Sequence, residues 1–214
     1  MISVYLVDDH ELVRTGIRRI LEDERGIKVV GEAPDGETAV QWSRHNEADV
    51  ILMDMNMPGM GGLEATRKIL RYQPEARIIV LAVQTEDPFP TKVMQAGASG
   101  YLTKGSTSPE VLRAITQVAR GQRYLSPEIA QQMALSQFNH SDENPFSSLS
   151  ERELQIMLMI TNGEKVNDIS EKLNLSPKTV NSYRYRLFAK LGIGGDVDLT
   201  RLAIRYKMLD TGSF

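Results

Sequence analysis

Five times within the first 120 residues, a short apolar run gives way to a segment whose apolar residues recur at helical spacing. That alternation constrains the fold more than any other feature. The runs lie at 2–7, 27–30, up to residue 54, 77–83 and 99–102, and the helical segments follow at 12–21, 36–45, 63–72, 90–96 and 109–120. Helical crossovers of this length join parallel strands, so the pattern predicts an α/β domain: a five-stranded parallel sheet with helices on both faces. In such sheets, chemistry gathers where the strands end.

The sharpest strand end is Val50 to Gly62, where an apolar run delivers Asp54 into a loop containing Pro58, Gly59, Gly61 and Gly62. Strand one ends at Asp8 and Asp9, strand four at Ala82 and Val83, and strand five at Thr103 and Lys104. Each of these residues has an ordinary reading by itself: Asp8 or Asp9 as a cap for helix one, Asp54 as a turn residue, Lys104 as a solvated lysine. Capping accounts for any one of them but not for the set. Three carboxylates at one sheet edge repel one another, and an all-oxygen donor set without a Cys or His cluster suits a hard divalent ion such as Mg²⁺.

Composition narrows the remaining classes. The chain has no cysteine, which excludes a disulfide framework and thiolate metal sites and points to an intracellular, cytoplasmic protein. No run of 18 apolar residues suggests a membrane span. The 25 Lys and Arg against 28 Asp and Glu hide an asymmetry: 10 basic and 8 acidic residues lie from Leu149 onward, 15 and 20 before it. Acidic and basic functions are therefore segregated along the chain.

Residues 126–128 repeat the Ser-Pro-Glu of residues 108–110, an N-cap followed by proline at the first helical position, and a connector helix bearing Ile129, Met133 and Leu135 is expected. Residues 138–148 turn polar and read as a linker, with His140 an exposed loop residue. Ser150 and Glu153 form a capping box for a helix ending near Gly163; a second helix spans 167–173, and Ser176-Pro177 starts a third. Two helices joined by a short turn, the later one basic, suggest a helix-turn-helix. On a helical wheel, Val180, Tyr183, Leu187 and Leu191 form the core stripe of the third helix, while Lys178, Asn181, Ser182, Tyr185 and Ala189 face away. Arg184, Arg186 and Lys190 lie on its flanks, and no acidic residue occurs from 177 to 191. A solvated amphipathic helix is the plain alternative; a DNA groove-facing surface fits the outward Asn, Ser and Tyr better. A last helix at 199–208 carries Leu199, Leu202, Ala203, Tyr206 and Leu209 on one stripe.

Asp8-Asp9, Asp54 followed by Met57-Pro58 and Gly61, and the segment Gly100-Tyr101-Leu102-Thr103-Lys104 resemble the receiver domain of two-component response regulators, a flavodoxin-like fold. The resemblance implies that Asp54 is the phosphoacceptor, that Asp8, Asp9, Asp54 and the backbone carbonyl of Asn56 hold Mg²⁺, and that Lys104 pairs with the incoming phosphoryl group. It also exposes a departure. Such receivers usually carry Thr or Ser near the end of strand four, and the register here puts Ala82 there, although Tyr101 keeps the switch-aromatic position. A hydroxyl bonded to a charged phosphoryl oxygen contributes about 1.5–3 kcal/mol, comparable to the bias of a two-state switch. Weakened coupling between phosphorylation and conformational change is the expected consequence. Thr85 is close in sequence but falls on the opposite face.

The run from Leu149 through Leu175-Ser176-Pro177-Lys178-Thr179-Val180 to Lys190-Leu191-Gly192 resembles the LuxR/FixJ-type helix-turn-helix, and residues 181–186 with Gln122-Arg123-Tyr124 look like the GacA/UvrY branch. The implied division is a receiver at 1–121, a connector and linker at 122–147, and an all-α helix-turn-helix domain at 148–214. Asn181, Ser182 and Tyr185 then face bases, with Lys178, Arg184, Arg186 and Lys190 as further DNA contacts. The resemblance further implies a hybrid sensor histidine kinase, double-stranded promoter DNA, small regulatory RNA genes as targets, and a homodimer in the active state, with the last helix at its interface. The chain is then a transcription regulator, not an enzyme. Other classes fit less well: an Asp-nucleophile phosphohydrolase commonly spaces its two acids by two residues after strand one, and no G-x-G-x-x-G follows that strand for a dinucleotide enzyme. DNA binding that does not depend on phosphorylation is a further alternative, which Ala82 permits.

Overall fold

The computed structural model describes residues 1–83, 88–138, 144–206 and 208–209. In chain order the elements are β1 (Ile2–Val7), α1 (Glu11–Glu22), β2 (Ile27–Ala33), α2 (Gly36–Ser43), β3 (Val50–Asp54), α3 (Gly61–Tyr72), β4 (Ile78–Ala82), α4 (Phe89–Gln95), β5 (Gly100–Thr103), α5 (Ser108–Ala119), β6 (Tyr124–Leu125) and α6 (Pro127–Phe138). A 3₁₀ turn (Pro145–Ser148) leads to α7 (Glu151–Thr161), α8 (Val166–Leu173), α9 (Pro177–Leu191) and α10 (Asp196–Arg205). His140 and Thr85 lie outside the described residues.

The strands form one parallel sheet in the order β2-β1-β3-β4-β5-β6. Among the described residues six strands are present where five were expected. The extra one is the pair Tyr124–Leu125, which aligns with Gly100 and Tyr101 and so takes residues expected in the connector onto the sheet edge. The central strands β3 and β4 are buried along their whole length, which is why they read as unbroken apolar runs rather than alternating ones.

The pleat divides their side chains between two cores. Val4, Leu6, Leu52, Ile79, Leu81 and Leu102 pack against α1 and α5, while Val7, Ile51, Met53, Val80, Ala82 and Tyr101 pack beneath α2, α3 and α4. The second cluster continues without a break into buried Leu154, Ile156 and Met157 of α7. The C-terminal helices are thus seated on the α/β domain. No helix among the described residues is long and apolar enough to cross a membrane.

In the C-terminal half the capping box is present: Ser150 N–H donates to Glu153 Oε2 at 2.8 Å, and Glu153 N–H donates to Ser150 Oγ at 3.3 Å. Asn174 closes α8 in the left-handed region (φ +52°), giving the turn that sends α9 across α8. The last helix begins at Asp196 rather than 199, because the acidic residues Asp196 and Asp198 occupy its first turn, where they suit the helix dipole.

Candidate phosphoacceptor site and DNA-facing helix

Parallel register brings the ends of β1, β3 and β5 to one edge of the sheet. Asp54 is fully buried there, and Lys104 Nζ donates to its Oδ2 at 2.7 Å while lying 3.2 Å from Asp8 Oδ2. Lys104 is held at this height by its own N–H, which donates to Ala82 C=O at 2.8 Å. The other Asp54 oxygen, Oδ1, accepts from Asn56 N–H at 3.1 Å. The set Asp8, Asp9, Asp54 and Lys104, expected from strand ends alone, is one cluster.

Neither Asp8 nor Asp9 caps α1. His10 occupies the N-cap position without a side-chain cap bond, and Asp8 Oδ1 instead accepts from His10 N–H at 2.8 Å. Arg14 reaches from α1 to donate to Asp8 C=O at 2.6 Å and pairs with Glu32 at 3.0 Å, which pins the β1–α1 turn.

Burial pushes the Asp54 carboxyl up to about 6; the Lys104 ammonium opposes this and the Asp8 charge adds to it. For Lys104, burial disfavours the ammonium, but Asp54 and Asp8 outweigh it and hold its pKa above the ordinary value. One oxygen each from Asp8, Asp9 and Asp54 and one nitrogen of His10 lie within 4.8 Å of one another. The cluster gathers three carboxylates around one ammonium, which pairs with Asp54 and Asp8 while Asp9 lies 3.0 Å from His10 Nδ1, and it offers hard oxygen donors. That donor set fits Mg²⁺.

A close approach builds the loop after Asp54. A Cβ on Gly62 would stand 1.9 Å from Asp54 C=O, so only glycine lets α3 start against the end of β3. Gly62 N–H donates to Met55 C=O at 3.0 Å, and Gly59 and Gly61 take positive φ. Ala82 and Tyr101 are both buried on the same side of the sheet, and burial raises the Tyr101 hydroxyl pKa.

The helix-turn-helix presents α9 outward. Ser176 Oγ caps it by accepting from Thr179 N–H at 3.1 Å, and Gly192 ends it with φ +65°. Val180 and Leu187 are buried, whereas Lys178 and Ser182 are exposed, Asn181 is half-buried and Tyr185 is 71% exposed. The flanking cations differ from one another. Arg184 is held by Asp196 through Nε at 2.8 Å and through Nη2, and Lys190 Nζ donates to Glu153 at 2.7 Å and to Ser148 C=O at 3.1 Å. Both tie α9 to its own domain. Arg186 is exposed and stacks its guanidinium over the Tyr183 ring at 4.4 Å. Glu153 is buried, which disfavours its charge, but the bonds from Lys190 and Ser150 outweigh burial and hold its carboxyl below the usual range.

Sequence reasoning had no signal for one group of contacts, those between the two domains. Arg152 Nη1 donates to the buried Glu64 of α3 at 2.7 Å; Gln155 Nε2 donates to Met60 C=O at 3.4 Å; Gly59 N–H donates to Glu164 Oε1 at 3.2 Å. These pairs are separated by 88 to 105 residues, so no local pattern announces them.

Residues 4–116 match the response regulator receiver domain, and residues 147–203 match the luxR family of bacterial regulatory proteins. The chain belongs to the response regulators. It is 69% identical to the response regulator UvrY of Escherichia coli K12 over 96% of this chain and 95% of that protein, and 58% identical over the full length of both to the response regulator GacA of Pseudomonas aeruginosa PAO1. It therefore falls in the GacA/UvrY branch. Among solved structures, a LuxR-family response regulator from Aurantimonas is 40% identical with a TM-score of 0.63, over 65% of this chain and 99% of that one. Salmonella RcsB, bound to promoter rprA in the presence of the phosphomimetic BeF₃⁻, is 25% identical with a TM-score of 0.76, over 94% and 98% of the two chains. This response regulator is a two-component transcription regulator with a LuxR-type DNA-binding domain. Family membership implies a histidine kinase as phosphodonor, and receiver domains generally bind Mg²⁺ at this acidic pocket.

Proposed function

We propose that Asp54 accepts a phosphoryl group from a hybrid sensor histidine kinase, that Asp8, Asp9, Asp54 and the Asn56 carbonyl hold Mg²⁺, and that α9 then reads promoter DNA as part of a homodimer. Small regulatory RNA genes are the proposed targets, by likeness to the GacA/UvrY branch. The observation that carries the reading is the buried Asp54 carboxylate, bonded to Lys104 at 2.7 Å and grouped with Asp8 and Asp9 at one sheet edge. The working division is 1–121, 122–147 and 148–214, with β6 extending the receiver sheet into the second segment.

In the transfer, an Asp54 oxygen forms the new P–O bond as the P–N bond to the kinase histidine breaks, and the imidazole leaves with the electron pair. Bound Mg²⁺ supplies charge neutralisation for the phosphoryl oxygens. Asp54 is desolvated and its pKa of about 6 leaves it largely ionised at neutral pH, so it is available as a nucleophile. Asn56 N–H fixes one carboxylate oxygen, which orients the other. Lys104 moves its donation onto the incoming phosphoryl group as charge accumulates there.

On the DNA side, Asn181, Ser182 and Tyr185 are proposed to meet base edges, with Lys178 and Arg186 on phosphates. Arg184 and Lys190 contribute by holding α9 against Asp196 and Glu153, and by adding positive charge at the groove edge. Ala82 weakens the link between phosphate and conformation, with Tyr101 the retained half of the relay.

A second reading, DNA binding without phosphorylation, draws support from the exposure of Lys178, Ser182 and Tyr185 while the domains are docked. Titrating a promoter duplex with and without an acyl-phosphate donor separates the two. The first reading expects tighter binding with donor, lost in Asp54→Asn; equal affinities throughout support the second.

A further inference from the structure

We infer that the DNA-binding domain is a working part of the phosphoacceptor site: Glu164 is a positioning residue that holds the loop carrying Asn56 against Asp54. This rests on the reading of Asp54 as phosphoacceptor and concerns how its surroundings are built.

The loop between β3 and α3 is anchored by two carboxylates on successive amides, one from each domain. Gly59 N–H donates to Glu164 Oε1 at 3.2 Å, and Met60 N–H donates to Glu37 Oε1 at 3.0 Å. Glu164 is itself fixed, because Lys172 Nζ donates to its Oε2 at 2.9 Å, and Lys68 of α3 donates back to Lys172 C=O at 3.4 Å. Arg152 on Glu64 of α3 and Gln155 on Met60 C=O add two further contacts where the loop passes into α3. The loop passes so close to Glu37 that a Cβ on Gly59 would stand 2.8 Å from its Oε1, and φ there is +84°. Little slack remains between the anchors.

What the anchors control is Asn56. It lies three residues before Gly59 and its N–H donates to Asp54 Oδ1. Of the two residues between them, Met57 is buried and Pro58, though exposed, has its φ fixed by its ring, so few torsions are left to absorb a shift locally. A displacement at Gly59 is therefore passed to the Asn56 peptide. Its N–H orients the nucleophile, and its carbonyl is the fourth proposed Mg²⁺ ligand. Because the anchor sits in the other domain, docking and site geometry are linked, and linkage runs both ways. This route bypasses the position of Ala82.

The test uses the full chain and three variants: Glu164→Ala, Glu164→Gln, which keeps an amide oxygen for Gly59 N–H, and Arg152→Ala, which cuts the docking at a separate point. In metal-free, donor-free protein, the backbone amide resonances of Asn56 and Gly59 should shift, and Gly59 should lose exchange protection, in Glu164→Ala and Arg152→Ala. Glu164→Gln should stay close to wild type. The Mg²⁺ concentration giving half-maximal phosphorylation by acetyl phosphate should rise three- to tenfold in the Ala variants and return toward wild type in Gln. Far-UV circular dichroism checks that each variant folds. An unshifted Asn56 amide with unchanged Mg²⁺ dependence in both Ala variants overturns the inference. If wild type gains no phosphoryl group, or Asp54→Asn gains it equally, the phosphoacceptor reading fails instead, and the amide shifts still decide whether Glu164 positions the loop.

Discussion

Replacing Asp54 by Asn should stabilise the receiver at neutral pH in the absence of divalent metal. The carboxyl is fully buried and its pKa stands at about 6 against 3.8 for a free side chain, so folding works against its ionisation. That difference corresponds to about 3 kcal/mol lost by the wild type above pH 6. A group whose folded pKa is raised adds stability below the unfolded value and loses it as pH climbs through the folded one. The wild type should therefore weaken between about pH 4 and pH 6, where Asp54→Asn, which cannot ionise, should not. Lys104 keeps Asp8 at 3.2 Å as a partner in the variant, so the substitution leaves no buried ammonium unpaired. Thermal melts in EDTA should show Asp54→Asn higher by about 6–12 °C at pH 7, taking about 2–4 °C per kcal/mol for a chain of this size, with the gap closing toward pH 4. Added Mg²⁺ should raise wild type more than the variant. An Asp54→Asn melt at or below wild type at pH 7, or a gap independent of pH, would refute the claim that burial governs this carboxylate.

Three further outcomes follow from the packing. Ala82→Thr should strengthen the change in DNA affinity on phosphorylation, measured with and without acyl phosphate, at a cost of about 1–3 kcal/mol because the site is fully buried; an unaltered response would show that the missing hydroxyl is immaterial. Gly62→Ala should destabilise the receiver by about 3 kcal/mol or more in urea melts, since its Cβ would meet Asp54 C=O at 1.9 Å. Asn181→Ala should relax sequence preference, whereas Arg186→Ala should lower affinity for cognate and random duplexes alike and reduce the salt slope; equal losses for both variants on both duplexes would place the groove-facing surface elsewhere.

The parts of this molecule that were readable in the sequence are those set by local rules. Buried strands show as apolar runs, strand ends show as charges before Gly and Pro, and the Ser150–Glu153 capping box is a three-residue signature. Parallel register then converts separate strand ends into one site, which is why the sequence alone groups Asp8, Asp54 and Lys104. The elements that escaped lack such rules. Tyr124–Leu125 is too short to show a period and becomes a strand only because β5 offers an edge. The last helix starts at an acidic turn that an apolar stripe does not mark. A helical wheel places Arg184 and Lys190 on the flanks of α9 but cannot show Asp196 and Glu153 waiting there. Glu164 beside Gly59 is a product of domain docking alone.

The central claim is that Asp54 is the residue that receives the phosphoryl group. Intact mass measurement of the full chain after incubation with acetyl phosphate and Mg²⁺ tests it most directly. Wild type should gain one acid-stable, base-labile phosphoryl group, and Asp54→Asn none, while Lys104→Ala should gain it more slowly. Labelling of Asp54→Asn at the wild-type yield would contradict the assignment.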